Sequence, residues 1–391
     1  MSEALALARA HNPRLLAART GLGVSEAKRI TADQWPYNPV LSAEIARSLP
    51  FESQGDALYQ VGLSQTFQTG GQRGHQVAVA DANIGRAAAV VANTERLVQA
   101  AVATAFFEYL SLQERERLVQ RNLDIAGGLL TAAEARYRAK QIPEVELNLV
   151  RLDQRRALNA RTRVSIRQRA SLVRIAALLG RPGEESKLKP VGSMAVVPIT
   201  TDRTRALELA HERRPDLVAL RQELKMARSK FDLEGARVWP DLGIGLYYAR
   251  EVGDLARGFD RDNIFGLELS VPLPLLNRRR GEQSEALAQV RAVESRIQAS
   301  LVRLEMRVDL ALNRLAMARQ TVELFQTGLQ GLSQENLRQF QKAYEAGEVG
   351  TLAVLRARDD LNQVALGLLD ALLEFHTARI ELKTLVAGEI K

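Results

Sequence analysis

Four stretches of this chain, residues 74–136, 144–180, 281–343 and 350–387, contain no proline and are rich in Ala, Leu, Arg, Glu and Gln. These side chains lose little on entering a helix, so each stretch predicts one long helix. About sixty residues of helix span roughly 95 Å, beyond the diameter of an ordinary globular domain. Helices of that length bury an apolar stripe only by lying along one another. Leu301, Leu304, Val308, Leu312, Leu315 and Val322 recur at spacings of three, four and seven, the seam of a coiled coil. The expected fold class is mainly α with a small β part, built on long antiparallel coiled-coil helices.

The long stretches come in pairs because the chain is duplicated. "ALALARAHNPRLLAAR" (4–19) is answered by "ALELAHERRPDLVALR" (206–221), and Trp35-Pro36 by Trp239-Pro240, which contain the only two tryptophans. "LSQTFQTGGQRG" (63–74) is answered by "LSVPLPLLNRRRG" (269–281), and "YRAKQIPEV" (137–145) by "YEAGEVGTL" (344–352). A period of about 205 residues is too long for a solenoid. It predicts two copies of one unit, 1–180 and 203–391, with 181–202 as linker. In each copy a helix follows the proline (13–34, 215–237). Two short alternating segments and the two long helices come after it.

The alternating segments have period two, the signature of strands. Val61, Leu63 and Phe67 share one face with Tyr59, and Gln60, Gly62, Ser64 and Thr66 share the other. Leu267, Leu269 and Val271 lie with Phe265 and Leu273, opposite Gly266, Glu268 and Ser270. Leu242, Ile244, Leu246 and Tyr248 face away from Gly243, Gly245 and Tyr247, and "VLSAEIA" (40–46) alternates less cleanly. About ten residues is the length of a tilted membrane strand. Four strands cannot close a membrane barrel alone, and open edges are forbidden in lipid. Two readings follow: an ordinary soluble sheet, or one barrel shared by several chains.

The totals remove other classes. With no cysteine there are no disulfides, thiolate metal sites or cysteine nucleophiles. The net charge of +8 suits nucleic acid, anionic lipid or a soluble surface. No basic cluster is interleaved with aromatics, which argues against nucleic acid. No run of eighteen apolar residues is present, so no transmembrane helix is expected. No signal-peptide pattern opens the sequence, so either the protein stays inside the cell or its export signal lies outside this sequence. His11, His75, His211 and His376 are isolated, and "GGQRG" (70–74) lacks the ending of a phosphate loop. No catalytic set stands out, so neither an enzyme nor a resident metal or cofactor is expected.

Over residues 4–388 the chain resembles the TolC family of outer-membrane efflux ducts. The duplicated "AL.LA…P.L" start, the paired "WP", "SQTFQTGGQRG", "VPLPLLNRRRG" and "YEAGEVGTL" carry the resemblance jointly. "NPVLSAE", "QTGGQRGHQVAVADA" and "PLPLLNRRRG" look most like the CzcC-type branch that serves heavy-metal exporters. The resemblance implies a homotrimer whose helices form a hollow cylinder through the periplasm and whose strands form one twelve-stranded barrel. It implies a passive duct in a tripartite efflux system, with a periplasmic adaptor, an inner-membrane pump of the RND type and outer-membrane lipid as partners. Cargo would be heavy-metal cations or drugs. The apolar strand faces would meet lipid. Ser64, Thr66, Glu268 and Ser270 would line the lumen. Trp35 and Trp239 would sit at the membrane boundary or pack at a helix-to-strand junction.

The same resemblance places the helix turns at a periplasmic tip that meets the adaptor, through Tyr137, Lys140, Ile142, Tyr344, Gly347 and Val349. Some members close the tip with a ring of aspartates just after the second turn. Here those places hold Ala353 and Arg356, with Asp359 and Asp360 further on. Arg356 would then form a cationic ring if it faces the lumen, or else be a surface arginine, solvated or paired with Asp359 or Asp360. Lys140 stands where the second turn has Gly347, and Pro143 where it has Gly350, so the two turns are expected to differ in shape. The competing functional reading is a soluble coiled-coil scaffold or adaptor. The absence of an export signal favours it, and the strand faces and duplicated motifs oppose it.

Overall fold

A computed structural model describes residues 1–47, 57–197, 199, 201–252 and 262–388. Two sets of elements follow in the same order. The first is α1 (Ser2–His11), α2 (Pro13–Asp33), β1 (Val40–Arg47), β2 (Ala57–Phe67), α3 (Gln72–Arg138) and α4 (Glu144–Leu178). The second is α5 (Arg203–Arg213), α6 (Pro215–Ala236), β3 (Leu242–Val252), β4 (Asp262–Ser270), α7 (Arg280–Leu324), α8 (Gln330–Glu345) and α9 (Thr351–Val386). One interruption separates the sets. The stretch expected as a single helix over 281–343 is broken by a π-helical turn, Phe325–Leu329. Such turns insert an extra residue into the helical ladder. Here the turn sets the Phe325 ring against Gly367 of α9, where a Cβ would lie 2.6 Å from the ring.

The chain divides into two compact units, each drawing on both sets: Met1–Arg19, Val90–Pro215 and Ser300–Lys391 in one, Thr20–Ala89 and Asp216–Ala299 in the other. In the first, Val98, Val102, Phe106 and Leu110 of α3 pack with Ala8 of α1 and with Ile175 and Leu179 at the end of α4. The expected seam of α7 is buried at Leu304, Val308, Leu315 and Val322. Helix starts follow their local chemistry. Pro13 and Pro215 take the first helical position, where a missing N–H costs nothing. The Asn12 side chain accepts from the Arg14 and Leu15 amides and donates to the Leu178 carbonyl at 2.7 Å. Gly180 ends α4 at φ +72°, and a Cβ there would lie 2.1 Å from the His11 carbonyl oxygen.

The segment expected as a linker is packed against this core; its Pro198 and Thr200 lie outside the described residues. Gly192 faces Phe106 and Leu110 so closely that a Cβ would come within 3.0 Å of both. The Met194 carbonyl is 3.1 Å from Nε2 of His376. That ring is fully buried and stacks on Phe107 at 3.9 Å and 9°. Burial lowers the His376 pKa; the Met194 hydrogen bond opposes the shift and the Arg379 charge adds to it.

The two helix turns have the same backbone path, which corrects the expectation that they differ. Lys140 (φ 59°) and Gly347 (φ 77°) both occupy the left-handed region. Gln141 N–H bonds the Arg136 carbonyl and Glu348 N–H the Ala343 carbonyl, both at 2.9 Å. Pro143 and Gly350 then cap α4 and α9 with φ/ψ of −73°/160° and −81°/165°. This helix ending requires one left-handed residue, and a lysine can be held there at a cost in strain.

In the second unit, Ala227 of α6 packs on Val290 and Val293 of α7. Arg29 of α2 spans Asp33 at 3.0 Å and Asp81 of α3 at 3.1 Å. The four strands form one antiparallel sheet in the order β1-β2-β3-β4.

Two predictions follow from the first unit. A buried histidine with a lowered pKa contributes stability above its unfolded value of about 6.5 and loses it as pH falls through that value, because the unfolded chain takes the proton more readily. The thermal midpoint is expected to drop between pH 7.5 and pH 5.5, and to drop less in His376→Phe; equal drops would remove His376 as the cause. At the turns, Lys140→Gly should stabilise and Gly347→Ala destabilise, each by about 1 kcal/mol, as read by urea unfolding.

Candidate functional site

The sheet register puts most large apolar strand residues on one face, with Val40, Leu58, Tyr247 and Ile264 on the other. Leu41 pairs with Leu63, Leu63 with Leu246 and Leu246 with Leu267. The neighbouring rows are Ala43, Val61, Tyr248 and Phe265, and then Ile244 and Leu269. Phe67 pairs with Leu242 in the same parity. Gln65 at one end and Arg47, Arg250 and Asn263 at the other are polar residues of this face, and the Gln65 amide bonds the Tyr37 carbonyl at 3.1 Å. Among the described residues nothing covers this face: Phe265 is 82% exposed, Leu41 74% and Leu267 63%. An exposed apolar patch that spans four strands marks an interaction surface.

The opposite face carries Glu44, Gln60, Ser64, Thr66, Glu268 and Ser270, together with Gly62, Gly243, Gly245 and Gly266. The glycines clear space for their neighbours. A Cβ on Gly266 would fall 2.1 Å from the Tyr247 ring, which lies across β4. The sheet therefore has a polar side of low profile and an apolar side without cover. Its two edges, β1 and β4, each pair on one side only.

One expected member of the apolar face is displaced. β4 ends at Ser270, opposite Gly243, so Val271 falls one residue beyond the strand. Pro272 follows with no N–H to donate, and β3 has only Leu242 left to offer. Both tryptophans stand where the helices give way to strands, and both are more than half exposed. Trp35 meets Phe67 edge-on at 6.3 Å, with the Arg73 guanidinium 5.5 Å from its ring. Nearby, Tyr37 donates to Asp241 at 2.7 Å, and the buried Gln72 side chain bonds both the Trp239 carbonyl and Asp241 at 3.3 Å.

Contacts join the two helix turns that carry the residues expected at the tip. The Thr351 hydroxyl donates to Glu146, and the Arg136 guanidinium lies 4.4 Å from the Tyr344 ring. Ile142 is half-buried against Ala133, Leu147 and Val150, and Val349 is half-buried. Tyr137, Lys140 and Gly347 are exposed. The candidate gate residues Arg356, Asp359 and Asp360 are exposed on α9. Among the described residues Arg356 makes no ion pair.

The ion pair at this place belongs to Arg358. Its side chain is buried, bonds Asp153 of α4, and reaches Asp359 at 3.6 Å. Helical spacing gives the reason: Thr351, Val354, Leu355 and Arg358 lie at i, i+3, i+4 and i+7 and share the buried face. Reading the sequence by match to the second turn passed over Arg358, although the same spacing could have located it. The positions of Arg356 and Asp359 are held by Leu149 and Leu152 in α4, which are exposed in line with Val145. A cation and an acid in one helix thus stand where the other presents an apolar stripe.

Residues 206–388 match the family described as Outer membrane efflux protein. The chain is 26% identical to the cobalt-zinc-cadmium resistance protein CzcC of Cupriavidus metallidurans over 376 residues, covering 95% of this chain and 86% of that one. It is also 26% identical to the pyoverdine export outer membrane protein OpmQ of Pseudomonas putida, over 49% of this chain and 41% of that one. Among solved structures, a membrane protein from Pseudomonas aeruginosa superposes with a TM-score of 0.82 at 17% identity, covering 98% of this chain and 93% of the other. The outer membrane protein VceC from Vibrio cholerae gives 0.78 at 15%, covering 100% and 96%. The second half of the chain thus matches the model of the outer membrane efflux protein family, and the whole chain shares the fold of these solved structures.

Proposed function

We propose that three copies of this chain form an outer-membrane duct for tripartite efflux, through which cargo delivered by an inner-membrane pump and a periplasmic adaptor leaves the cell. The observation that carries this reading is the four-stranded sheet with one exposed apolar face, one polar face and two half-paired edges. In hydrocarbon, every backbone N–H and C=O of β1 and β4 must find a partner, so the edges pair with those of other copies. Three copies supply twelve strands, within the range of closed membrane barrels. The polar face, with Ser64, Thr66, Glu268 and Ser270, then lines a wet lumen, and Trp35 and Trp239 stand at the membrane boundary.

The helices support the same assembly. Besides its buried seam, α7 carries a second line of apolar residues, Val302, Met306, Leu310, Met317 and Leu324, all exposed in the single chain. Their spacings of four and seven suit a neighbouring helix from another copy. The turns at Tyr137–Val145 and Tyr344–Leu352 form the tip that meets the adaptor, with Lys140 and Gly347 at their apices. Arg356 faces the tunnel there as a ring of cations. Heavy-metal cations are the favoured cargo, because the CzcC relative matches nearly the whole chain and the pyoverdine exporter only half. A soluble scaffold would leave the apolar face in water, at a cost of roughly 25 cal/mol for each Å².

Light scattering in detergent, with the detergent contribution subtracted, should give three times 43.2 kDa. A monodisperse single chain in plain buffer would overturn the barrel. Within the sheet, Leu63→Arg should abolish membrane-assembled trimer, since arginine on the lipid face costs about 2–4 kcal/mol at mid-bilayer. Ser64→Arg, one residue along on the other face, should keep it. In planar bilayers, Arg356→Glu should shift ion selectivity toward cations; unaltered selectivity and conductance would remove Arg356 from the tunnel.

A further inference from the structure

The two strand-to-helix connections do the same geometric job with different chemistry. Between β2 and α3 the chain uses four residues, Gln68, Thr69, Gly70 and Gly71, none of them apolar side chains. Between β4 and α7 it uses nine, 271–279, reading "VPLPLLNRR". Connecting the elements does not require leucines, as the first connection demonstrates. Yet Leu273, Leu275 and Leu276 are 70%, 71% and 102% exposed. Val271 follows Ser270 directly, so these exposed apolar residues adjoin the strand that carries Phe265, Leu267 and Leu269.

Three arginines follow the leucines, and only the middle one is committed. Arg279 takes the left-handed conformation (φ 54°), its amide donates to the Asn277 side chain at 2.9 Å, and its guanidinium bonds the buried Glu234 at 2.9 Å. Arg278 and Arg280 on either side are exposed and make no ion pair among the described residues. The chain therefore passes from exposed leucines to uncommitted cations across one anchored turn. A leaflet passes from hydrocarbon to phosphate in the same order.

We propose that residues 271–280 form a docking site for anionic phospholipid, with Leu275 and Leu276 among the acyl chains and Arg278 and Arg280 on the head-group phosphate. The site rests on the membrane-barrel reading above, and its lipid lies in the leaflet on the helix side of the sheet. Charge complementarity, with adjacency to the strand that carries the lipid-facing residues, selects lipid over a second copy of the chain.

The test compares wild type with R278Q/R280Q and with L275S/L276S, purified in detergent and titrated with phosphatidylglycerol, phosphatidylcholine or inorganic phosphate. Native mass spectrometry reads bound lipid and oligomer mass together. The arginine pair should lose about thirtyfold in phosphatidylglycerol affinity at unchanged oligomer mass, with weak phosphatidylcholine retention unaltered. Inorganic phosphate alone should not compete, because the leucines hold the acyl chains. Equal phosphatidylglycerol affinity in wild type and R278Q/R280Q overturns the site. So does L275S/L276S if it dissociates the oligomer while retaining lipid, since the loop would then be a contact between copies. Wild type that stays at the single-chain mass overturns the barrel reading itself, so the two failures are told apart.

Discussion

An unpaired strand edge cannot lie in hydrocarbon. Each free N–H or C=O there costs several kcal/mol, and no water is present to repair it. This chain presents two such edges, on a sheet whose apolar face no described residue covers. The long helices, the exposed second seam of α7 and the internal duplication are consistent with one remedy, in which copies complete each other's backbone pairing. A chain of two similar units repeated threefold surrounds an axis with six near-equivalent segments, so the wall needs few distinct kinds of contact.

Duplication has preserved backbone more faithfully than side chains. Both helix turns keep a left-handed apex and the same cap, although one apex is lysine and the other glycine. Past the turns the copies diverge in chemistry: Leu149 and Leu152 in α4 correspond to Arg356 and Asp359 in α9. The strand-to-helix connections diverge further, one short and glycine-rich, the other long and apolar-then-basic. Where equivalent positions share a backbone and differ in side chain, the fold does not account for the difference.

The segment between the copies also has a structural role. Gly192 against Phe106, and the Met194 carbonyl on His376, tie the connection to helices from both sets of elements. The stacked His376 and Phe107 rings lie at that seam. Their burial makes the seam sensitive to protons, because an imidazolium is poorly accommodated in an apolar stack.

Much of the fold was legible in the sequence because it rests on local periodicity. Proline-free runs of helix formers gave α3, α4, α7 and α9, and period-two alternation gave the two faces of β2, β3 and β4 to within a few residues. Positions whose meaning depends on a distant partner were not legible. Arg358 meets Asp153, 205 residues away, and nothing near Arg358 announces that partner. The likeness of the two turns was hidden because a lysine can be held in a conformation that glycine favours. The interruption at Phe325–Leu329 depends on a clearance at Gly367 in another helix. The sequence by itself determined element type, order and which strand face is apolar, since these follow from spacing along one chain. Tertiary structure alone decided which charges are buried and paired, that the linker is part of the core, and that the apolar face has no cover, because each depends on what the fold brings alongside.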